Sequence, residues 1–340
     1  MSRLSWLTVA AALLVCDICD PRSAIAGPVA DVASVQAARA SQVKVTMLST
    51  MLVGNENAGV GEWGFAAILD VDGRRLLVDT GARAETVLKN AIELNVDLAS
   101  ITDLAITHNH ADHTGGLLVL RRELAKRNPQ ALSRVHVPKG IFYPRPGPDG
   151  REGNGLLPLK AQYEATGGVF IEHAGPAVLM PGVTMLGPVP RVHPERNWGA
   201  PRGGPAGRVE TPDGVVEDTV PEDTSIVVDT ADGLVLISGC GHAGIINTME
   251  YARTAVRAAP VVATIGGFHL FAATAETLAW TAGKMKALGL QHLLGAHCTG
   301  IEAVYQLRQL VGLTRATAAV AGVGATYTHG VGIDPTALAR

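Results

Sequence analysis

Residues 107–116 read THNHADHTGG, three histidines and an aspartate closed by two glycines. Before them, DLAIT (103–107) reads as a short buried strand. After them, DHTGGLLVLRRELAKR (112–127) reads as a helix, with apolar Leu117, Leu118 and Leu120 ahead of a basic end. His108 and His110 are two residues apart at a strand end, so they point the same way and can grip one ion. Asp112 and His113 follow one turn later, at a helix start, where they can face a second ion. Gly115 and Gly116 permit close backbone approach behind them. A solvated turn with Asp112 as helix cap would explain the aspartate, but caps do not need three histidines. The stretch reads as a metal site.

Working outward, the first half is strand-rich. VKVTMLSTMLVG (43–54), FAAILDV (65–71) and RRLLVDTG (74–81) read as strands, the last two joined by a tight turn at Asp72–Gly73. ETVLKNAIELN (85–95) follows as a helix, and RVHVP (134–138) as a strand. Residues 143–158 and 187–215 are dense in Pro and Gly and are expected to be irregular segments covering a site. The second half alternates TSIVVDT, LVLIS, VVATIGG and HLLGAH with helices over 244–256, 276–288 and 302–311. Histidines and cysteines fall at the strand ends, where sites of α/β proteins sit. The repeated layout predicts two β-plus-α layers around one core.

With 340 residues, 47% hydrophobic and 17% charged, the composition is that of a globular protein. A net charge of −3 supplies no basic field for nucleic acid, and 4% aromatics leave few stacking platforms. Residues 1–26 differ: Arg3 precedes an apolar run, and SAIAG puts Ala24 and Ala26 at the small positions of a cleavage site. This predicts a signal peptide cut after Ala26, a linker over 27–41, and a periplasmic or secreted domain over 42–340. The apolar run is short for a membrane span. A lipid anchor on Cys16 is the alternative, disfavoured by the bulk of Val15. Cleavage would remove Cys16 and Cys19. Cys240 and Cys298 would then either pair or lie beside a metal, since both neighbour histidines.

H-x-H-x-D-H after a strand resembles the signature of the metallo-β-lactamase superfamily, and DTG (79–81) resembles its first motif. More narrowly, GPVPR (187–191), GCGHAGIIN (239–247), GGFHL (266–270) and HCTG (297–300) follow the order of one subgroup. That subgroup includes an archaeal pterin-ribofuranosylaminobenzene phosphate synthase and proteins called metal-dependent hydrolases. The resemblance implies an α/β fold, an αββα four-layer sandwich with one or two metal ions between the sheets. Zinc is the default for imidazole and carboxylate ligands, with Mn2+ or Fe2+ as alternatives. It implies His108, His110, Asp112, His113, His242 and His297 as ligands. Where most members carry a metal-bridging carboxylate, this chain has Cys240, Gly241 and His242. Cys240 is left as a ligand or a small buried residue packing at the strand end, the packing role preferred, and Asp79 is assigned to orient a ligand from behind. His269 is left as ligand, acid near the leaving group, or hydrogen-bonding core residue, with the acid role preferred.

The expected activity is hydrolysis of an ester-like bond, such as a phosphoester, lactone or thioester, by a metal-bound hydroxide. Asp112 would accept the proton, and His269 would act near the leaving group. The loop over 187–215 carries Arg191, Arg196, Arg202 and Arg208. Arg191, within the GPVPR motif, is assigned to a small anionic substrate, and the others to a solvated loop offset by Glu195 and Glu210. His193 is either substrate-facing or a surface residue. His136, His173, His292 and His329 match no motif and read as structural. Two other functions stay open: a condensing enzyme like the subgroup's synthase, and a binding protein that uses a metal without turnover. The sequence leaves the oligomeric state open.

Overall fold

Asp72 and Gly73 both have positive φ (50° and 78°), as the tight two-residue turn between paired strands demands. In the computed structural model, which describes residues 38–56, 58–197 and 207–339, that turn joins the strands Ala66–Val71 and Arg74–Val78. The leader over 1–26, the linker up to residue 37, and Arg202 lie outside the described residues. The first strands in chain order are β1 (Val43–Ser49), β2 (Ala66–Val71), β3 (Arg74–Val78), β4 (Asp103–Ala105), β5 (Arg134–Pro138) and β6 (Val169–His173). Next come β7 (Ala177–Met180), β8 (Val183–Met185), β9 (Arg208–Thr211), β10 (Gly214–Glu217) and β11 (Ser225–Asp229). The chain continues through β12 (Leu234–Ser238), β13 (Val261–Gly266), β14 (His292–Gly295) and β15 (Ala318–Val320), then β16 (Thr326–Thr328) and β17 (Gly332–Asp334).

These strands build two large sheets, ordered β17-β16-β1-β2-β3-β4-β5-β6 and β15-β14-β13-β12-β11-β8-β7, and a separate β9–β10 hairpin. In each large sheet an antiparallel part gives way to parallel strands, β3 to β6 in one and β12 to β15 in the other. Parallel neighbours need crossovers, and these supply helices α1 (Thr86–Glu93), α2 (Ala111–Thr114), α3 (Leu117–Ala125), α4 (Leu156–Glu164), α5 (Ile245–Ala255), α6 (Ala275–Ala287) and α7 (Ile301–Val311).

Alternation along the strands sorts the apolar residues into three layers of contact. On β3, Leu76 and Val78 pack between the sheets while Leu77 turns out to the helices of its own half. On β12, Val235 and Ile237 face inward, and Leu234 and Leu236 pack under α5 and α6. Helix, sheet, sheet, helix is the αββα sandwich expected from the motif.

Three local features depart from expectation. The helix expected over 112–127 divides into α2 and α3 because the Gly115 N–H is shared between the carbonyls of Ala111 (2.9 Å) and Gly81 (3.0 Å). The segment 187–215, expected to be irregular, runs into the β9–β10 hairpin. Residues 156–185 hold α4 and β6 to β8, which no pattern announced; β6 and β7 are edge strands with partly exposed faces and so lack a clean alternation. Among the described residues no helix is long and apolar enough to cross a membrane.

Candidate metal centre

The site begins with a buried carboxylate. Asp79, just past β3, takes a left-handed backbone (φ 56°) and accepts three hydrogen bonds. Thr107 donates its backbone N–H to Oδ1 and its hydroxyl to Oδ2 (both 2.8 Å), and Oδ2 lies 2.7 Å from His113 Nδ1. Those contacts fix the tautomers. A carboxylate is acceptor-only, so His113 carries its proton on Nδ1 and leaves Nε2 bare. The single Thr107 hydroxyl proton is spent on Asp79, so its 3.0 Å contact with His108 must accept from Nδ1–H, and His108 Nε2 is bare too. His242 Nδ1 donates to the Asn197 carbonyl at 2.6 Å, with the same result. In three histidines, one ring nitrogen is tied down so that the other is free to ligate.

The free nitrogens converge. Ring centroids of His108, His110 and His242 lie 4.6–4.8 Å apart, and those of His113 and His297 lie 5.1 Å apart. Asp112 Oδ2 sits 3.2 Å from His297 Nε2. Among the described residues, buried ring nitrogens without a hydrogen bond include His108 Nε2, His242 Nε2, His269 Nδ1 and His297 Nδ1, while His297 Nε2 faces Asp112. Such orphaned polar atoms are costly. A cation among them would satisfy them together, so the residues fit a metal ion. Burial, reinforced by neighbouring histidines, holds His108 and His242 well below their ordinary value and His110 down at about 4. The rings are therefore neutral, as ligands must be. For Asp112, burial pulls upward, but His113 and His297 outweigh it and keep the carboxylate ionised.

Cys240 lies at the centre of this arrangement, 2% exposed, its Sγ 3.1 Å from His113 Nε2 and 3.2 Å from Cys298 Sγ. Both thiols are free. Gly239 before it has no room for a side chain: a Cβ there would stand 2.2 Å from Thr107 Oγ1. His269 and His297 also have left-handed backbones (φ 50° and 46°), so three residues of the site hold conformations worth about 1–3 kcal/mol each that the packing must offset.

Around the cluster the structure assigns other partners. Arg191 donates Nη1 to the His242 carbonyl (2.7 Å) and Nη2 to the carbonyl of Val220 (3.0 Å), so it buttresses the His242 loop. Arg196 pairs with Glu217 rather than Glu195, and Arg208 donates to the Val215 carbonyl. Glu195 instead accepts the N–H groups of Ile246 and Asn247, capping α5. His193 pairs with Glu250 on α5. His136 and His173 bond to each other and, through His136, to Asp103, while His329 pairs with Asp232; none touches the cluster.

Sequence reasoning passed over several neighbours. Thr107 and Asn197 orient ligands. Arg145, from the Pro- and Gly-rich segment, grips Glu222 with Nη2 at 2.7 Å and Asp218 with Nε at 2.8 Å. The Asn109 amide, between two of the histidines, donates to Glu222 and accepts from Arg145. The segment is thereby bolted to the motif. Trp63 (49% exposed) lies over His297 with ring centroids 4.9 Å apart and meets Phe271 (43% exposed) edge-on, forming an aromatic wall at the mouth. Of these, Thr107 and Asn109 carried a signal, their adjacency to His108.

Comparison with known proteins gives a consistent picture. The chain is 30% identical over 270 residues to the 7,8-dihydropterin-6-methyl-4-(β-D-ribofuranosyl)-aminobenzene-5'-phosphate synthase of Methanocaldococcus jannaschii, covering 78% of this chain and 90% of that protein. It is 27% identical over 250 residues to the uncharacterized protein MJ0448 of the same organism, covering 73% and 88%. Residues 49–133 match the family described as anti-Pycsar protein Apyc1. Among solved structures, Tm1679, titled a metal-dependent hydrolase of the β-lactamase superfamily, superimposes with a TM-score of 0.63 at 24% identity, over 84% of this chain and 98% of that one. YhfI of Bacillus subtilis, titled a metallo-β-lactamase fold protein, gives 0.50 at 12% identity, over 84% and 99%.

Proposed function

Because this chain belongs to the metallo-β-lactamase superfamily, in the family of the archaeal aminobenzene-phosphate synthase, we propose that it is a metal-dependent hydrolase of an ester-like bond in a small molecule, with zinc as its ion. The observation that carries this reading is the convergence of ligand atoms on Asp112, with His108 and His110 on one side and His113 and His297 on the other, and with His242 joined to the set through His108. A bound divalent ion supplies Lewis acidity at the reacting centre. His108, His110 and His242 would hold one ion, and Asp112, His113 and His297 a second. Asp112, ionised and partly open to solvent, accepts a proton from the attacking water. His269, half-buried with an unpartnered Nδ1, donates to the leaving group. Trp63 and Phe271 exclude water on one side and offer the substrate an apolar face.

A phosphoester is the favoured bond. The arginines of the loop over 187–215 lend this little support: Arg191 and Arg208 donate to backbone carbonyls, and Arg196 pairs with Glu217. Its support is the phosphate in the product for which the archaeal relative is named. That relative also favours a second reading, a condensing enzyme. Export rests on residues 1–26 alone, and N-terminal sequencing of the protein recovered from the periplasm, beginning at Gly27, is its check.

The test is a hydrolysis panel on zinc- or manganese-loaded protein, spanning phosphomonoesters, phosphodiesters, lactones, thioesters and a β-lactam. Metal-dependent turnover of one class is expected, abolished by His110→Ala with an unchanged circular dichroism spectrum. Full activity in that variant would overturn the site assignment. Silence from folded, metal-loaded protein would transfer the assignment to condensation, where product analysis looks for a new carbon–carbon bond.

A further inference from the structure

Three histidines of the cluster have one ring nitrogen held from behind: His108 by Thr107, His113 by Asp79, and His242 by the Asn197 carbonyl. His110 differs. Among the described residues nothing hydrogen-bonds to either of its ring nitrogens, and its ring meets those of His108 and His242 edge-on. An imidazole that is not gripped at its far nitrogen has to be aimed by its backbone. On one side α2 does this, because the His110 carbonyl accepts the N–H groups of His113 (3.0 Å) and Thr114 (3.2 Å). On the other side stands Asn109.

The Asn109 amide is buried, and its surroundings dictate how it is turned. A carboxylate only accepts and a guanidinium only donates. Its nitrogen therefore meets Glu222 Oε1 (3.0 Å), and its oxygen meets Arg145 Nη1 (3.1 Å) and Nε (3.2 Å). Arg145 closes the ring, with Nη2 2.7 Å from both Glu222 oxygens. Glu222 is fully buried, and a buried carboxylate needs a charged partner in good geometry. Arg145 is itself anchored, donating to the Tyr143 carbonyl (3.1 Å) and to Asp218 (2.8 Å). A lysine in its place could neutralise Glu222 but has no planar fork with which to reach Asn109 as well. The Pro- and Gly-rich segment thus delivers one rigid cation to the backbone between two ligands.

We propose that Arg145 is a positioning residue: through the Asn109 amide it holds the backbone between His108 and His110 so that both imidazoles face one ion. It does for His110, by way of the main chain, what a hydrogen bond to the ring does for the other three. The inference rests on the metal reading above and deepens it.

The experiment is competition for zinc between the full chain and a chromophoric chelator, in the parent, Asn109→Ala, Arg145→Lys and the double variant. Each single variant is expected to lose about 10–100-fold in affinity for an ion. The double variant should bind no more weakly than the weaker single one, because both changes cut one path. A contact that served stability alone would lower the urea midpoint and leave the affinity of the folded protein where it was. Asn109→Ala keeps the Arg145–Glu222 pair, and it decides the matter if Arg145→Lys does not fold. Parent affinity in a folded single variant, or losses that multiply in the double variant, overturns the positioning role and leaves the metal reading standing. Folded parent protein that takes up no zinc overturns both.

Discussion

The chemistry of the centre is set by proton placement on individual residues, and two carboxylates show it from opposite sides. Asp79 touches no candidate ion position directly but dictates where the protons of Thr107 and His113 sit. Asp79→Asn would present an amide where two donors point, releasing His113 from its tautomer. Metal affinity is expected to fall by about 10–100-fold, read by competition with a chromophoric chelator; unchanged affinity would reject the role. Asp223 is the converse. Burial, only partly offset by the Ala243 N–H and by Arg191, pushes its carboxyl up to about 7, and Oδ1 has no hydrogen-bond partner. The folded pKa lies above the unfolded one, so the unfolded chain loses its proton first and stability falls as pH rises from about 4 to about 7. Asp223→Asn has no proton to lose. It is expected to resist urea better than the parent at pH 8, with the gap closing towards pH 4; a gap that ignores pH would contradict the linkage.

At the scale of elements, the motif works because backbone segments approach more closely than side chains allow. A Cβ on Gly116, between α2 and α3, would stand 2.3 Å from the Thr80 carbonyl oxygen, a backbone atom that cannot swing away. Gly116→Ala is expected to cost about 1–3 kcal/mol, seen as a lower urea midpoint at unchanged slope. Gly283 in α6 is the control, since an added Cβ there meets nothing; Gly283→Ala should stabilise by about 0.5–1 kcal/mol. Equal effects at the two positions would show that helix propensity, not close approach, governs Gly116. Some of this was legible beforehand. The paired glycines after the histidines announced a tight approach, whereas β6 and β7 gave no warning because their faces are partly solvated on both sides.

For the whole molecule, the ligands arrive from both sheets. His108, His110, Asp112 and His113 follow β4 of one sheet, while His242 and His297 follow β12 and β14 of the other. An ion held by both would tie the halves together across the carboxyl ends of the strands. Chelation is therefore expected to lower Tm, and re-addition of zinc to restore it. At a hundredfold excess over Kd the ion contributes about 2.7 kcal/mol. A Tm indifferent to demonstrated metal loss would place the ion on one half only.

H-x-H-x-D-H at a strand end was enough, in sequence, to announce a candidate metal site, because chain-local spacing places those side chains on one side of a short segment; the sandwich was what the family resemblance implied. Apolar runs likewise announced the central strands of both sheets. Other decisions belonged to the tertiary structure. Arg191 looked like an anion contact in sequence, yet its guanidinium donates to the carbonyls of Val220 and His242, the latter brought to it from 51 residues away. Cys240 read in sequence as either a packing residue or a ligand beside a metal, and it is the fold that brings His113, His242 and Cys298 around its sulfur. Spacing along a chain reports neighbours within a few residues. Which proton an imidazole keeps, and which thiol meets which nitrogen, depends on atoms brought together from more than a hundred residues away, as His113 and Cys240 are, at a separation of 127.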